Sequence, residues 1–120
     1  MLPIRTSLAI ATGAVSGATL RHVANEAIGW DGSSWPWATF LVNVAGCLAI
    51  ALAVIGIDRS SARWAFIGPG ALGGLTTMST FLVEARILWT AEEQLLAVSY
   101  VVGTLAVTLV TVELIRSRAT

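Results

Sequence analysis

The chain has 120 residues, 56% of them hydrophobic and 12% charged, with seven basic residues, all arginine, balancing seven acids. Mean hydropathy is +0.80, and a soluble domain would carry roughly twice that charge. A formal net charge of zero without any basic run argues against a nucleic-acid partner, and the composition points to a membrane instead.

Four apolar segments follow in chain order, each close to the roughly 20 residues a helix needs to cross about 30 Å of hydrocarbon. The first covers residues 4–24. Its Ala9, Gly13 and Gly17, at four-residue spacing, form a stripe of small side chains that lets another backbone approach closely. Arg5 ahead of an apolar run has the outline of a signal peptide, but removing this segment would discard the helix best suited to packing, so it is read as a retained span. Arg21, near its end, has two open roles: concentrating anions at an entrance, or snorkelling to lipid headgroups.

The turn-rich stretch Trp30-Asp-Gly-Ser-Ser-Trp-Pro36 leads into the second segment, residues 37–57. There Ala45, Ala49 and Ala53 repeat the small-residue stripe, and Asn43 stands as an isolated amide. Cys47, the single cysteine, has no partner for an intramolecular disulfide and reads as packing.

The third segment, residues 64–89, contains Gly68-Pro-Gly-Ala-Leu-Gly-Gly-Leu-Thr-Thr-Met-Ser-Thr-Phe81, and its helix is expected to break near Gly73. Lipid offers no water to a freed backbone group, so such a break survives only where protein buries it or where it lines a polar cavity, and it commonly marks an ion or substrate site. A half-helix starting after Gly74 would present backbone N–H groups suited to an anion. Thr76, Thr77, Ser79 and Thr80 add hydroxyls, and Phe81 offers a positive ring edge. Glu84 is the lone carboxylate nearby, either a gatekeeper of an ion path or a partner for Arg86 or another basic group.

The fourth segment, residues 94–115, places Tyr100, Thr104 and Thr108 on one helical face as a hydroxyl ladder about 12 Å long. A membrane threonine ordinarily donates to its own i−4 carbonyl, but a ladder opposite an asparagine and a broken helix suggests a lined pathway. Its donors suit a small, strongly hydrated anion, and there is no ring of acids of the kind a cation filter uses. Nothing resembles a nucleophile with its base and orienting group, so no enzyme activity is expected. A phosphate-cradling loop requires a lysine that this chain lacks.

The segment Gly73-Gly-Leu-Thr-Thr-Met-Ser-Thr-Phe81, with Val42-Asn43-Val-Ala-Gly46 and Gly17-Ala-Thr-Leu-Arg21, closely resembles the small bacterial fluoride channels of the Fluc or CrcB family. The resemblance extends over all four segments. It implies an all-α integral membrane protein of the bacterial inner membrane, with four transmembrane helices, the third broken near its middle, forming an antiparallel dimer. It further implies passive fluoride efflux that protects against fluoride toxicity. A structural sodium ion at the dimer centre would be held by backbone carbonyls of Gly73 and Thr76. Asn43 and Phe81 would contact fluoride, Tyr100, Thr104 and Thr108 would form a polar track, Ser79 and Thr80 would neighbour the pore, and Glu84 matches a carboxylate position. Met78 departs from the pattern, standing where the family has a phenylalanine.

Arg5, Arg59, Arg63, Arg116 and Arg118 fall on one side of the membrane, against Arg21 and Arg86 on the other. That bias predicts both termini in the cytoplasm, and with Met78 it suggests pairing with an oppositely oriented homologous subunit, a homodimer being the open alternative. Two other readings compete. A small four-helix multidrug exporter would need a carboxylate in the first helix, and residues 4–20 contain none. A membrane scaffold that conducts nothing predicts that Asn43 and Phe81 affect only stability.

Overall fold

The computed structural model describes residues 2–120. Helix α1 (Ile4–Ile28) starts directly after Pro3, whose fixed φ suits a helix entry. It ends where Gly29, at φ 69°, turns the chain aside. In the loop that follows, the Asp31 carboxylate accepts hydrogen bonds from the backbone of Ser33 and Ser34 and from the Ser34 hydroxyl. These bonds, with that from the Ser33 amide foremost, hold it below the usual carboxylate range. Helix α2 (Trp37–Gly56) follows Pro36.

The third apolar segment is assembled from pieces. Ser61 accepts a hydrogen bond from the Trp64 amide and caps α3 (Ala62–Ala65). The chain then widens into a π-helical stretch, Phe66–Leu72, around Pro69. Proline cannot donate to the helical ladder and crowds the preceding turn, which a wider turn relieves. Helix α4 (Gly73–Leu75) follows, then Thr76 adopts an extended conformation, and α5 begins at Ser79 (Ser79–Thr90). A tight turn with Glu92 at φ 64° leads into α6 (Gln94–Ala119).

Residues 76–78 are the non-helical ones, three residues past the expected Gly73, which is itself helical. The glycines serve close approach. A Cβ at Gly17 would lie 2.8 Å from the Leu75 amide nitrogen, and one at Gly74 would lie 2.9 Å from the Ala14 Cα. Helix α1 thus packs backbone to backbone against residues 66–75, using the Gly13 and Gly17 stripe expected of it.

Three helical stretches, Trp37–Gly56, Ala62–Thr90 and Gln94–Ala119, are long and apolar enough to cross a membrane. Helix α1 has the length, but its Arg5, Arg21, glycines and hydroxyls dilute its apolar character. Observed bounds run past the expected ones at the C-terminal ends of α1 and α6. Large apolar side chains cover the outside, among them Leu95 at 83% exposure and Leu109 at 69%. Such a surface is costly in water and neutral in lipid. The long axis of 48 Å matches a bilayer with its headgroup regions, about 40–45 Å. The buried cluster is small: Phe81, Leu88, Ala97 and Tyr100, with Trp35 and Phe40 packed on it.

Candidate functional site

Two helical faces confront each other, Thr39, Asn43 and Cys47 on α2 and Tyr100, Thr104 and Thr108 on α6, because four-residue spacing keeps each trio on one side. The interruption at 76–78 and the first turn of α5 fill the space between them.

Asn43 is tied to that interruption at both ends of its amide. Its Nδ2 donates to the Thr77 carbonyl at 2.9 Å, and its Oδ1 accepts from the Thr77 amide at 2.8 Å. In an unbroken helix the Thr77 N–H would go to the Gly73 carbonyl four residues back. The Thr80 N–H would likewise go to the Thr76 carbonyl, but it donates to Thr77 Oγ1 at 3.2 Å. Side-chain oxygens have thereby replaced the carbonyls of Gly73 and Thr76 as acceptors. Ser79 Oγ lies 3.4 Å from the same Thr77 hydroxyl.

Beside this knot is a cavity of about 220 Å³ walled by Asn43, Thr76, Met78, Phe81, Thr104 and Thr108, with Cys47, Thr77 and Leu105. The structure brings together seven of the residues singled out from sequence: Asn43, Thr76, Thr77, Met78, Phe81, Thr104 and Thr108. Thr104, 4% exposed, has a hydroxyl with no hydrogen-bond partner among the described residues. Its neighbour Thr108 follows the usual habit and donates to the Thr104 carbonyl at 2.9 Å. A buried hydroxyl without a partner costs about 1–3 kcal/mol, and Thr104 bears that cost at the cavity wall.

Glu84 lies one turn beyond Phe81 and pairs with no arginine among the described residues. Oε1 accepts from the Thr39 hydroxyl at 2.7 Å, and Oε2 accepts from the Tyr100 hydroxyl at 2.8 Å. Tyr100 is fully buried, with the Phe81 ring centroid 4.9 Å away on one side and Trp35 edge-on at 5.4 Å on the other. The expected hydroxyl ladder is thus divided by role: Tyr100 holds the carboxylate, Thr104 is open, and Thr108 is satisfied by its own helix.

Ser79, Thr80, Glu84, Tyr100, Gly73 and Arg21 do not line this cavity. Arg21 is half-buried near the end of α1, and Met78 is 62% exposed at the cavity mouth. Sequence reasoning gave no role to Thr39, counted Thr77 only among the hydroxyls that follow the glycine run, and read Cys47 as packing. Thr39 and Cys47 stand four residues either side of Asn43, a signal that was readable. Trp35 lies in the loop and carried none.

The cavity offers hydroxyl and amide donors and one aromatic ring, and no group of three or more His, Cys, Asp or Glu residues gathers as a metal site among the described residues. Comparison with known proteins gives this arrangement a context. Residues 8–114 match the family model described as CrcB-like protein, Camphor Resistance (CrcB). A Rhodococcus jostii protein named fluoride-specific ion channel FluC 2 is 44% identical over 101 residues, covering 84% of this chain and 87% of that one. A Chelativorans protein named fluoride-specific ion channel FluC is 36% identical over 81% of this chain and 82% of its own. The corresponding values for a Nocardia farcinica FluC 2 are 38%, 81% and 72%.

Proposed function

The chain belongs to the CrcB-like family, and from that premise we propose that it is a subunit of a fluoride-selective channel giving passive fluoride efflux across a bacterial inner membrane. The observation that carries this is the unpartnered Thr104 hydroxyl in a cavity shared with Asn43 and Phe81. Fluoride leaving water must exchange its hydration for close donors. Thr104 Oγ1 and the second Nδ2 hydrogen of Asn43 supply such donors, and the Phe81 ring edge adds a weak positive field. Channel conduction, rather than catalysis, is the activity of a protein of this family.

No energy coupling is needed. Hydrogen fluoride enters as a neutral weak acid and dissociates inside, and the membrane potential drives the anion out, contributing about 2.3 kcal/mol per charge at 100 mV.

The finer assembly belongs to the same reading. Residues 62–90 form one span interrupted at 76–78, and two subunits meet in antiparallel fashion across it. The Gly73 and Thr76 carbonyls fit a structural sodium ion there, since side-chain acceptors have taken over the N–H groups that an unbroken helix would direct at them. Five arginines against two favour both termini in the cytoplasm. An oppositely biased homologous subunit is then the natural partner, with Met78 marking the pore that has decayed. Arg21 draws anions to the vestibule.

Fluoride-electrode efflux from liposomes holding the purified chain, with chloride as control, tests the function. Fast fluoride-selective efflux, from this chain alone or with a co-expressed homologue, is the expected result. Folded protein that passes neither ion in either preparation would overturn it.

A further inference from the structure

On the outer side of the α5–α6 pair a groove of about 330 Å³ runs between the helices. Ala85 and Ala97 line it with small side chains that leave the space between the helices unfilled, and Val98, Val101 and Val102 complete the apolar lining. Apart from Arg86 and Trp89 at one end, no side chain in the lining can hydrogen-bond. At one end stand Arg86 and Trp89, one turn apart on α5, and both line the groove. Arg86 is exposed and its guanidinium joins no ion pair among the described residues. Trp89 is 54% exposed.

The level of this pair in the membrane follows from its neighbours. Trp30, Trp35 and Trp37 lie at the same end, since Trp35 packs on Tyr100 near the start of α6 and Gly32 approaches Ile87. Tryptophans gather at the depth of lipid headgroups. Arg86, three residues before Trp89, sits about 4.5 Å deeper along the helix, and its flexible stem can carry the guanidinium up to phosphate level. A cation over an apolar slot at that depth matches one molecule in both charge and shape. It is a phospholipid with its phosphate on the guanidinium and one acyl chain in the slot.

We propose that the α5–α6 groove is a binding site for an anionic phospholipid, with Arg86 holding the phosphate and Trp89 packing on the glycerol and upper chain. A net negative headgroup is preferred over a zwitterionic one because Arg86 is the one charged side chain of the lining, Glu92 and Glu93 lying in the turn beyond it. This inference does not depend on which ion the protein conducts.

The test uses the full chain in liposomes containing a small fraction of phosphatidylglycerol or phosphatidylcholine with brominated acyl chains. Bromine quenches tryptophan on contact, and the Trp89 signal is isolated by comparison with Trp89→Phe. At equal mole fraction, brominated phosphatidylglycerol should quench Trp89 at least twofold more than brominated phosphatidylcholine. Arg86→Gln should abolish the difference and Arg86→Lys should retain part of it. Because Arg86 is exposed, neither substitution threatens the fold. Equal quenching by the two lipids, or a preference that survives Arg86→Gln, would overturn the site. Absence of quenching by either lipid would also overturn it, since another copy of the chain would then fill the groove.

Discussion

Asn43 and Thr77, 34 residues apart, exchange two hydrogen bonds at 2.8 and 2.9 Å, so one amide side chain closes the gap in the third span from the neighbouring helix. The same residue is at once a wall of the cavity and the support of its shape.

Asn43→Asp keeps the acceptor for the Thr77 amide but turns the donor into an oxygen facing the Thr77 carbonyl. The lost bond and its repulsion should cost about 1–3 kcal/mol and cut fluoride efflux at least tenfold. Thermal unfolding in detergent and electrode-detected efflux, run on the same preparation, check both. An unchanged rate with an intact fold would remove Asn43 from the ion path.

Thr104→Val separates stability from conduction. The wild-type hydroxyl has no partner among the described residues, so its replacement by a methyl of similar shape should leave stability unchanged or raise it slightly, while efflux falls about tenfold. Thr108→Val, whose hydroxyl is satisfied within α6, should change efflux much less. If the two variants behave alike in the flux assay, Thr104 holds no special place.

Tyr100→Phe and Thr39→Val each strand one oxygen of the Glu84 carboxylate, which is 9% exposed. Each should destabilise by about 1–3 kcal/mol. Since both hydroxyls serve one acceptor, their effects in a double-mutant cycle with Glu84→Leu should fall short of additivity. Full additivity would show that the three groups act separately.

The periodic features of this site were legible in the sequence. Tyr100, Thr104 and Thr108 share a face, and of the Ala9, Gly13 and Gly17 stripe the two glycines meet the backbone of residues 66–75. The position of the break was not legible, because a glycine run reads as a helix breaker whatever its purpose. Gly73 and Gly74 stay helical, and Gly74 lets Ala14 approach. Two contacts mark the break: Thr77 Oγ1 accepts the Thr80 N–H as a local threonine cap, and the Asn43 amide bonds the Thr77 backbone from another helix, of which local sequence carries no trace. The same limit explains Glu84, whose partners Thr39 and Tyr100 lie 45 and 16 residues away while the attractive neighbour in sequence, Arg86, points elsewhere.

Gly17→Val should disrupt packing more than any polar change, since its Cβ would press on the Ala71 carbonyl and lie 2.8 Å from the Leu75 nitrogen. Overpacking of that kind costs about 1–3 kcal/mol or more. Gly56→Ala, with open space around it, is the matched control and should leave the yield of folded protein unchanged. Size-exclusion profiles of the two variants decide the matter.

Met78→Phe adds a ring at an exposed position, so the fold should be unaffected. If position 78 reaches the ion path of a partner subunit, efflux from the chain reconstituted alone should rise several-fold. A flat response would place residue 78 outside any working pore.

The backbone contact between α1 and residues 66–75 also sets a timetable. Gly17 leaves the ribosome 54 residues ahead of Ala71, the residue it meets, which at typical synthesis rates is an interval of about 3–11 s. Through that interval α1 lacks the surface that Gly13 and Gly17 meet in the folded protein, which is complete only once residues 66–75 have been made.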